Sequence, residues 1–157
     1  MSKLAMPPVN IPRNDHARLL NLAHRARLDG HPVAEFLLSE IARAQVLDGS
    51  WWEDEVVALN RWITYRVDWG PTESRVLVHP EEYVSAERQL SVLSPVGAAL
   101  IGIKAGERMP FIAIDGTLHI VTAISIDRAP RILSFARRTT DQQDPQDGPL
   151  DPGPTAA

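Results

Sequence analysis

The stretch that most constrains the fold is residues 90–106, LSVLSPVGAALIGIKAG, where a strand-like run leads into a short helix of small residues. Ser94 is favoured at a helix N-cap and Pro95 at the first helical position, so a helix is predicted to begin there. Gly97 and Gly102, with the alanines between them, keep this helix thin enough to lie close against a sheet. The stretch contains no nucleophile beside a base, no metal-ligand cluster and no phosphate loop. Its chemistry therefore favours a docking surface.

Composition places the 157-residue chain among globular proteins with one domain and an appendage. The absence of cysteine excludes disulfides and thiolate metal sites, and it favours a cytoplasmic protein. No apolar run reaches the roughly 18 residues of a membrane span, so no membrane partner is predicted. The net charge of -4 disfavours bulk nucleic-acid binding, which needs basic surface to neutralise phosphates.

Residues 1–50 are predicted to form a short antiparallel helical hairpin. Asn14 or Asp15 can cap a first helix whose apolar residues recur at the spacing of one helical face. Gly30 suits the left-handed position after that helix, and Pro32 suits the first position of the next. Each helix would have about 15 residues and span roughly 22 Å. The inward-facing side chains are predicted to be Leu19, Leu22, Ala23, Ala26, Val33, Phe36, Leu37, Ile41, Ala44 and Leu47.

Residues 51–127 are predicted to form a small antiparallel sheet domain with one packed helix, which makes the fold class α+β. Alternating apolar residues and the turn residues between them predict strands at 62–69, 75–79, 108–114 and 117–126. The Asp115-Gly116 pair is a strong hairpin signal between the last two strands.

The charges near the end of the chain separate into two blocks. Four arginines without an acid lie within Arg128–Arg138, and four aspartates without a base follow. Because residues 139–157 are rich in Pro, Asp, Gln and Gly, they are predicted to be disordered. Residues 128–157 are therefore interpreted as a basic extension and an acidic, proline-rich tail.

Several motifs occur in the order found in one bacterial protein family. Residues 94–102, SPVGAALIG, resemble the Ser-Pro-x-Gly-x-Ala-Leu-x-Gly signature of the GreA/GreB transcript-cleavage factors and their short Rnk-like relatives. Val56–Asn60 and Val76–Pro80 resemble two further motifs of that family, and Glu107 stands in its Gly-Asp turn where Asp is usual. The resemblance covers roughly residues 14–127, and the chain is identified as a member of the Rnk-like branch.

The resemblance implies an FKBP-like fold for residues 51–127 and RNA polymerase as the partner. In Gre factors the loop that corresponds to Ser94 and Pro95 meets the β′ subunit at the rim of the secondary channel. Ser91, Ser94, Pro95 and Val96 are therefore the expected partner-binding residues. We expect a monomeric, non-enzymatic regulator of transcription, without sequence-specific nucleic-acid binding.

The predicted hairpin tip, Asp29-Gly30-His31, disfavours transcript cleavage. Gre factors that cleave transcripts carry a hairpin about twice as long, with adjacent acidic residues that help to hold a catalytic magnesium ion. Here Asp29 is the sole acid at the tip, with Glu35 about a turn into the next helix, and one carboxylate is a poor magnesium site. The five histidines show no metal-ligand spacing on one helix face. No catalytic residue, cofactor or metal is expected.

Two alternative functions stay open. FKBP-like folds also serve peptidyl-prolyl isomerases, although the aromatic residues that line isomerase pockets are few here and lie mostly on the first predicted strand. The Rnk-like branch is also named for regulation of nucleoside diphosphate kinase, and the sequence does not show whether such an effect is direct.

Overall fold

The computed structural model describes residues 6–49, 51–53 and 55–128, except the side chain of Arg128. In chain order the elements are β1 (Asn10–Pro12), α1 (Arg13–Leu28), α2 (Ala34–Ala42), β2 (Gln45–Leu47), β3 (Arg61–Val67), β4 (Thr72–Val78), a 3-10 turn (Pro80–Glu82), β5 (Gln89–Ser91), α3 (Pro95–Leu100), β6 (Arg108–Ile112) and β7 (Leu118–Arg128). The predicted α+β class is confirmed. The domain division at residue 50 stays a prediction, and the extension and tail after Arg128 lie outside the described residues. Within those residues, no helix combines the length and apolar character needed to cross a membrane.

Five strands form one curled sheet in the order β5-β4-β3-β7-β6. The pairings of β3 with β4, β3 with β7 and β6 with β7 are antiparallel, as predicted. The pairing of β4 with β5 is parallel, which the sequence analysis did not predict. The 3-10 turn and the loop after it carry the chain back, so that Val92 N–H donates to the Val78 carbonyl at 2.9 Å.

A second sheet, absent from the sequence prediction, pairs β1 with β2 in parallel. The N–H of Asn10 donates to the Gly102 carbonyl at 2.8 Å, which fixes β1 beside the end of α3. Helix α2 ends at Ala42, so the prediction that Leu47 lies on that helix is wrong: Leu47 is buried on β2.

Helix α1 begins at Arg13, earlier than either predicted cap allows. Pro12 occupies the N-cap position without a side-chain hydrogen bond, so the prediction of an Asn14 or Asp15 cap is wrong. The prediction that Pro32 opens the second helix is also wrong, because α2 begins at Ala34.

The end of α1 follows the predicted glycine stop. Gly30 has φ of 74°, and its N–H donates to the Arg27 carbonyl at 3.0 Å. The N–H of His31 donates to the Ala26 carbonyl at 2.9 Å, which completes a Schellman motif and satisfies two carbonyls at the helix end.

One set of buried apolar side chains lies among α1, α2, α3 and the inner face of the sheet. Leu37 and Ile41 of α2 are almost fully buried, and each contributes about 2 kcal/mol by leaving water. The predicted inward residues Leu22, Phe36 and Ala44 are only partly buried. Those predicted inward residues that are buried are Leu19, Ala23, Ala26, Val33, Leu37, Ile41 and Leu47.

Candidate functional site

Helix α3 begins at the Ser-Pro pair, as predicted. Ser94 is extended, with φ of -114° and ψ of 159°, and its Oγ accepts a hydrogen bond from the Gly97 N–H at 3.0 Å. The same hydroxyl donates to the Ser91 carbonyl at 2.6 Å. Pro95 occupies the first helical position, where no N–H is needed. Ser94 therefore ties the start of α3 to the end of β5.

Gly97 lets α3 approach β5 more closely than any other residue would. A Cβ on Gly97 would have to stand where the Ser91 carbonyl lies. That carbonyl is part of the backbone, so it cannot turn aside as a flexible side chain could. Ser91 Oγ in turn accepts a hydrogen bond from the Leu93 N–H at 3.0 Å. Residues 91–97 thus form one rigid unit, which we call the α3 platform.

An apolar groove of about 410 Å³ opens beside this platform, and we call it the Pro95 groove. Pro95 lies on one wall, Phe36 of α2 on another, and the β6–β7 hairpin on a third. The groove lining consists of Met6, Pro32, Val33, Phe36, Pro95, Pro110, Phe111, Ile112, Ala113, Ile114, Gly116 and Leu118.

Large apolar side chains on the hairpin wall stand in solvent. Ile112 is 58% exposed, Ile114 66% and Leu118 57%, which is costly unless a partner covers them. Strand β6 is also an edge of the sheet. These residues were not predicted from the sequence as part of a site. A signal was present in the run from Phe111 to Ile114, where no polar residue alternates with the apolar ones.

The predicted site residues do not all meet at this groove. Pro95 lines it, whereas Ser91 and Ser94 support it from the platform and Val96 packs against the core. Asp29 and His31, from the predicted tip, line a separate cleft between α1 and the 3-10 turn. Gly30 lies between them, with open space where its side chain would be.

A hydrogen-bonded chain of side chains fixes the hairpin beside the groove. Asp68 Oδ2 lies 2.6 Å from His119 Nδ1, and His119 Nε2 lies 2.7 Å from Thr117 Oγ1. The hydrogen bond with His119 is the main cause of the lowered pKa of Asp68, and the hydrogen bond from the Ile120 N–H lowers this pKa further. Hydrogen bonds from Thr117 lower the pKa of Asp115.

Thr117, His119 and Asp68 stand in the order of a nucleophile, a base and an acid. However, the Thr117 hydroxyl donates its single proton to Asp115 Oδ1 at 2.6 Å, so it has none to give to His119. The chain of side chains therefore supplies a structural link between two turns and not an activated nucleophile. No cluster of three or more potential metal ligands occurs in the part of the chain that the structure describes.

Comparison with known proteins matches the chain in two successive segments. The family model "Rnk N-terminus" matches residues 7–47, and "Transcription elongation factor, GreA/GreB, C-term" matches residues 53–128. The "Regulator of nucleoside diphosphate kinase" of Escherichia coli strain K12 is 28% identical over 128 residues, which are 81% of this chain and 94% of that protein. The protein of the same name from Shigella flexneri matches with the same values.

A solved structure shows the same relationship. It is the "Prokaryotic transcription elongation factor GreA/GreB from Nitrosomonas europaea", with 27% identity and a TM-score of 0.60. The alignment covers 76% of this chain and 98% of that one. The mixed helix and curled-sheet arrangement is thus similar to that of a GreA/GreB factor.

Proposed function

Because this chain belongs to the GreA/GreB family, in its Rnk-like branch, we propose that it is a non-enzymatic regulator of transcription that binds RNA polymerase. Residues 51–127 would form the docking domain, with an FKBP-like fold, at the β′ rim of the secondary channel. The two helices of residues 1–50 would form a short hairpin that enters the channel mouth without reaching the active site. The protein would act in the cytoplasm as a monomer.

One observation favours docking above other functions: a preformed apolar groove lies against the rigid α3 platform, with Pro95 at their junction. Binding energy in interfaces concentrates in apolar anchors that fill such grooves. A rigid platform also reduces the conformational entropy that binding must remove. Ser94 and Ser91 contribute by holding Pro95 in place, and Val96 by fixing α3 to the core.

The test is to measure binding of purified RNA polymerase to Pro95→Asp and to the parent. Aspartate is acceptable in the first turn of a helix, so the free energy of unfolding should fall by about 1 kcal/mol or less. Loss of a central contact should weaken binding roughly thirtyfold. Equal affinity of two folded proteins would remove Pro95 from the interface, and binding lost together with the thermal melt would indicate a folding role instead.

Two isoleucines test whether polymerase binding needs the groove itself or is weakened by a charge at any exposed apolar position. Ile112 lines the groove, whereas Ile124 is 39% exposed on β7 and lies outside it. Ile112→Asp should weaken polymerase binding, and Ile124→Asp should leave it nearly unchanged. Asp29→Asn, at the predicted tip, should also be nearly silent.

The name of the Escherichia coli relative concerns nucleoside diphosphate kinase. A regulator of transcription can change the level of that kinase without contacting it. We therefore expect no binding between purified kinase and this protein, and a stable complex of the two would show a direct route. A peptide isomerisation assay on the full chain tests the prolyl-isomerase alternative in the same way.

A further inference from the structure

Trp69 stands almost entirely in solvent on the turn between β3 and β4. Its exposed fraction is 88%, the highest among the large apolar residues that the structure describes. A single exposed apolar residue is common on protein surfaces and by itself indicates no function. The neighbours of Trp69 therefore decide whether its exposure has a role.

The Trp69 ring lies at the outer face of the sheet, beside residues that reach the Pro95 groove. The guanidinium carbon of Arg66 is 5.7 Å from the centre of the Trp69 ring, within the range of a cation–π contact. Arg66 pairs with Thr122 of β7. Ile120 and Leu118 lie two and four positions before Thr122 on that strand, so they share its face with Arg66.

The turn that carries Trp69 is fixed to the start of β7. The N–H of Asp68 donates to the Ile120 carbonyl at 2.7 Å, and Asp68 Oδ2 lies 2.6 Å from His119 Nδ1. Trp69 follows Asp68 and Leu118 precedes His119, so each is one residue from this contact. Leu118 also lines the Pro95 groove.

We call Arg66, Trp69, Leu118 and Ile120 the Trp69 patch. Because Leu118 belongs both to this patch and to the Pro95 groove, the patch continues the groove across the end of the sheet. Its backbone is held by strand pairing and by the contacts of Asp68, so the patch needs little ordering when it binds.

Arg66 brings a positive charge to the patch without a matching acid. It forms no salt bridge with any residue that the structure describes. Asp68, the acid closest to it in the sequence, uses Oδ2 for His119 and Oδ1 for the Ile120 N–H. The Arg66 guanidinium can therefore pair with a carboxylate that a partner brings.

We propose that the Trp69 patch is a second anchor of the docking surface, and that the polymerase segment bound there carries an acidic side chain beside an apolar one. The carboxylate pairs with the Arg66 guanidinium, and the apolar side chain covers Trp69 and Leu118. Tryptophan and arginine are the residue types that most often dominate the binding energy of an interface. The inference rests on the docking proposed above and adds the chemistry of the partner.

The charges around the patch favour a protein segment over single-stranded RNA. RNA binding combines aromatic stacking with a positively charged groove that follows the phosphates. The patch has one arginine, whereas Asp68 and Asp115 place two carboxylates at the same end of the sheet. A phosphate backbone would be repelled there, and a segment with a single carboxylate would not.

Two exposed tryptophans provide a matched test with core RNA polymerase that is free of nucleic acid. Trp69→Ala should weaken binding about tenfold or more, because an interface anchor is lost. Trp51 is 58% exposed and lies outside the patch, so Trp51→Ala should change the affinity less than twofold. Both rings are mainly in solvent, and thermal melts check that both variants stay folded. A folded Trp69→Ala protein that binds as tightly as the parent would overturn the proposal.

The dependence of binding on salt tests the charge of the partner. Polymerase affinity of the parent should fall as NaCl rises from about 50 to about 300 mM, because salt screens the pairing with Arg66. Arg66→Gln should weaken binding about fivefold at the lower concentration and make the salt dependence shallower. Arg66→Lys keeps the charge and should keep the steeper dependence. Identical salt dependence of Arg66→Gln and the parent would contradict an acidic partner segment.

The remaining outcomes separate this inference from the docking proposal. If Pro95→Asp weakens polymerase binding and Trp69→Ala does not, docking at the groove stands and the second anchor is wrong. A parent protein that does not bind polymerase would contradict both. A twelve-residue oligouridylate serves as the RNA probe, and no binding to the parent is expected. Oligouridylate binding that is lost in Trp69→Ala, with polymerase binding intact, would assign the patch to RNA instead.

Discussion

Asp68, in the β3–β4 turn, and His119, at the start of β7, meet at one end of the sheet, with 2.6 Å between Asp68 Oδ2 and His119 Nδ1. Asp68 Oδ1 also accepts a hydrogen bond from the Ile120 N–H at 2.9 Å. Asp68 has φ of 52°, a conformation that Asp and Asn adopt more readily than most residues. The contact therefore holds the β3–β4 turn against the start of β7, next to the groove.

The lowered pKa of Asp68 predicts a loss of stability in acid. The folded protein binds this proton less readily than the unfolded chain, so the stabilising contribution is present above the ordinary Asp pKa of about 3.9. It is lost as the pH falls through the lower pKa of the folded state. Asp68→Asn has no carboxyl group to titrate and should show a shallower decline. Urea unfolding from neutral pH to about pH 3 measures both slopes, and parallel curves would contradict this account.

Replacing Gly97 by alanine should destabilise the protein, although alanine is the better helix former by about 1 kcal/mol. The new Cβ would meet the Ser91 carbonyl, and neither backbone can move without breaking the α3 platform. We expect a cost of about 2 kcal/mol or more in the free energy of unfolding. Gly30→Ala is the control: it meets open space and bears only the strain of its positive φ, about 1 kcal/mol. A Gly97→Ala protein as stable as the parent would show that the backbone of the α3 platform can shift to accommodate the new Cβ.

The buried carboxylate of Glu40 depends on Arg43. Glu40 is 1% exposed, and Arg43 donates to its two oxygens at 2.8 and 3.2 Å. Arg43 also donates to the Pro7 carbonyl at 2.9 Å. Arg43→Met leaves the buried charge without its partner and should cost about 3 kcal/mol. The double change Glu40→Leu with Arg43→Met should recover most of that loss in thermal melts, and an equally unstable double variant would contradict this explanation.

We expect no transcript cleavage by this protein. Asp29 is exposed at the end of α1, and neither it nor Glu35 belongs to a metal-binding group among the described residues. Purified protein added to an arrested transcription complex with magnesium should release no short 3′ RNA fragments. A cleavage-competent GreA/GreB factor provides the positive control, and fragments released by this chain would contradict the expectation.

Elements with strong local signals were predictable from the sequence. Ser94 and Pro95 predict the start of α3, because the preferences for the N-cap and the first helical position depend only on residues adjacent in the sequence. Gly30 announces the end of α1 for the same reason, since few residues besides glycine adopt its φ.

Elements that depend on distant partners were not predictable. Strands β1 and β2 have three residues each, too few for a periodic pattern, and they form because Asn10 meets Gly102 and Gln45 meets Val9 across the fold. The Pro95 groove was missed for a similar reason, since its walls come from positions far apart in the chain. Pro95 alone was predicted as part of the surface.

In the docking proposed above, the hydrogen bond from Ser94 to Ser91 would hold residues 91–97 in one conformation before a partner arrives. A surface that already has its bound conformation loses little conformational entropy on contact, so association would not wait for these residues to rearrange. Any slow conformational step in the association would then occur in the partner. The seven residues from 91 to 97 would therefore be preorganised for binding in the free protein.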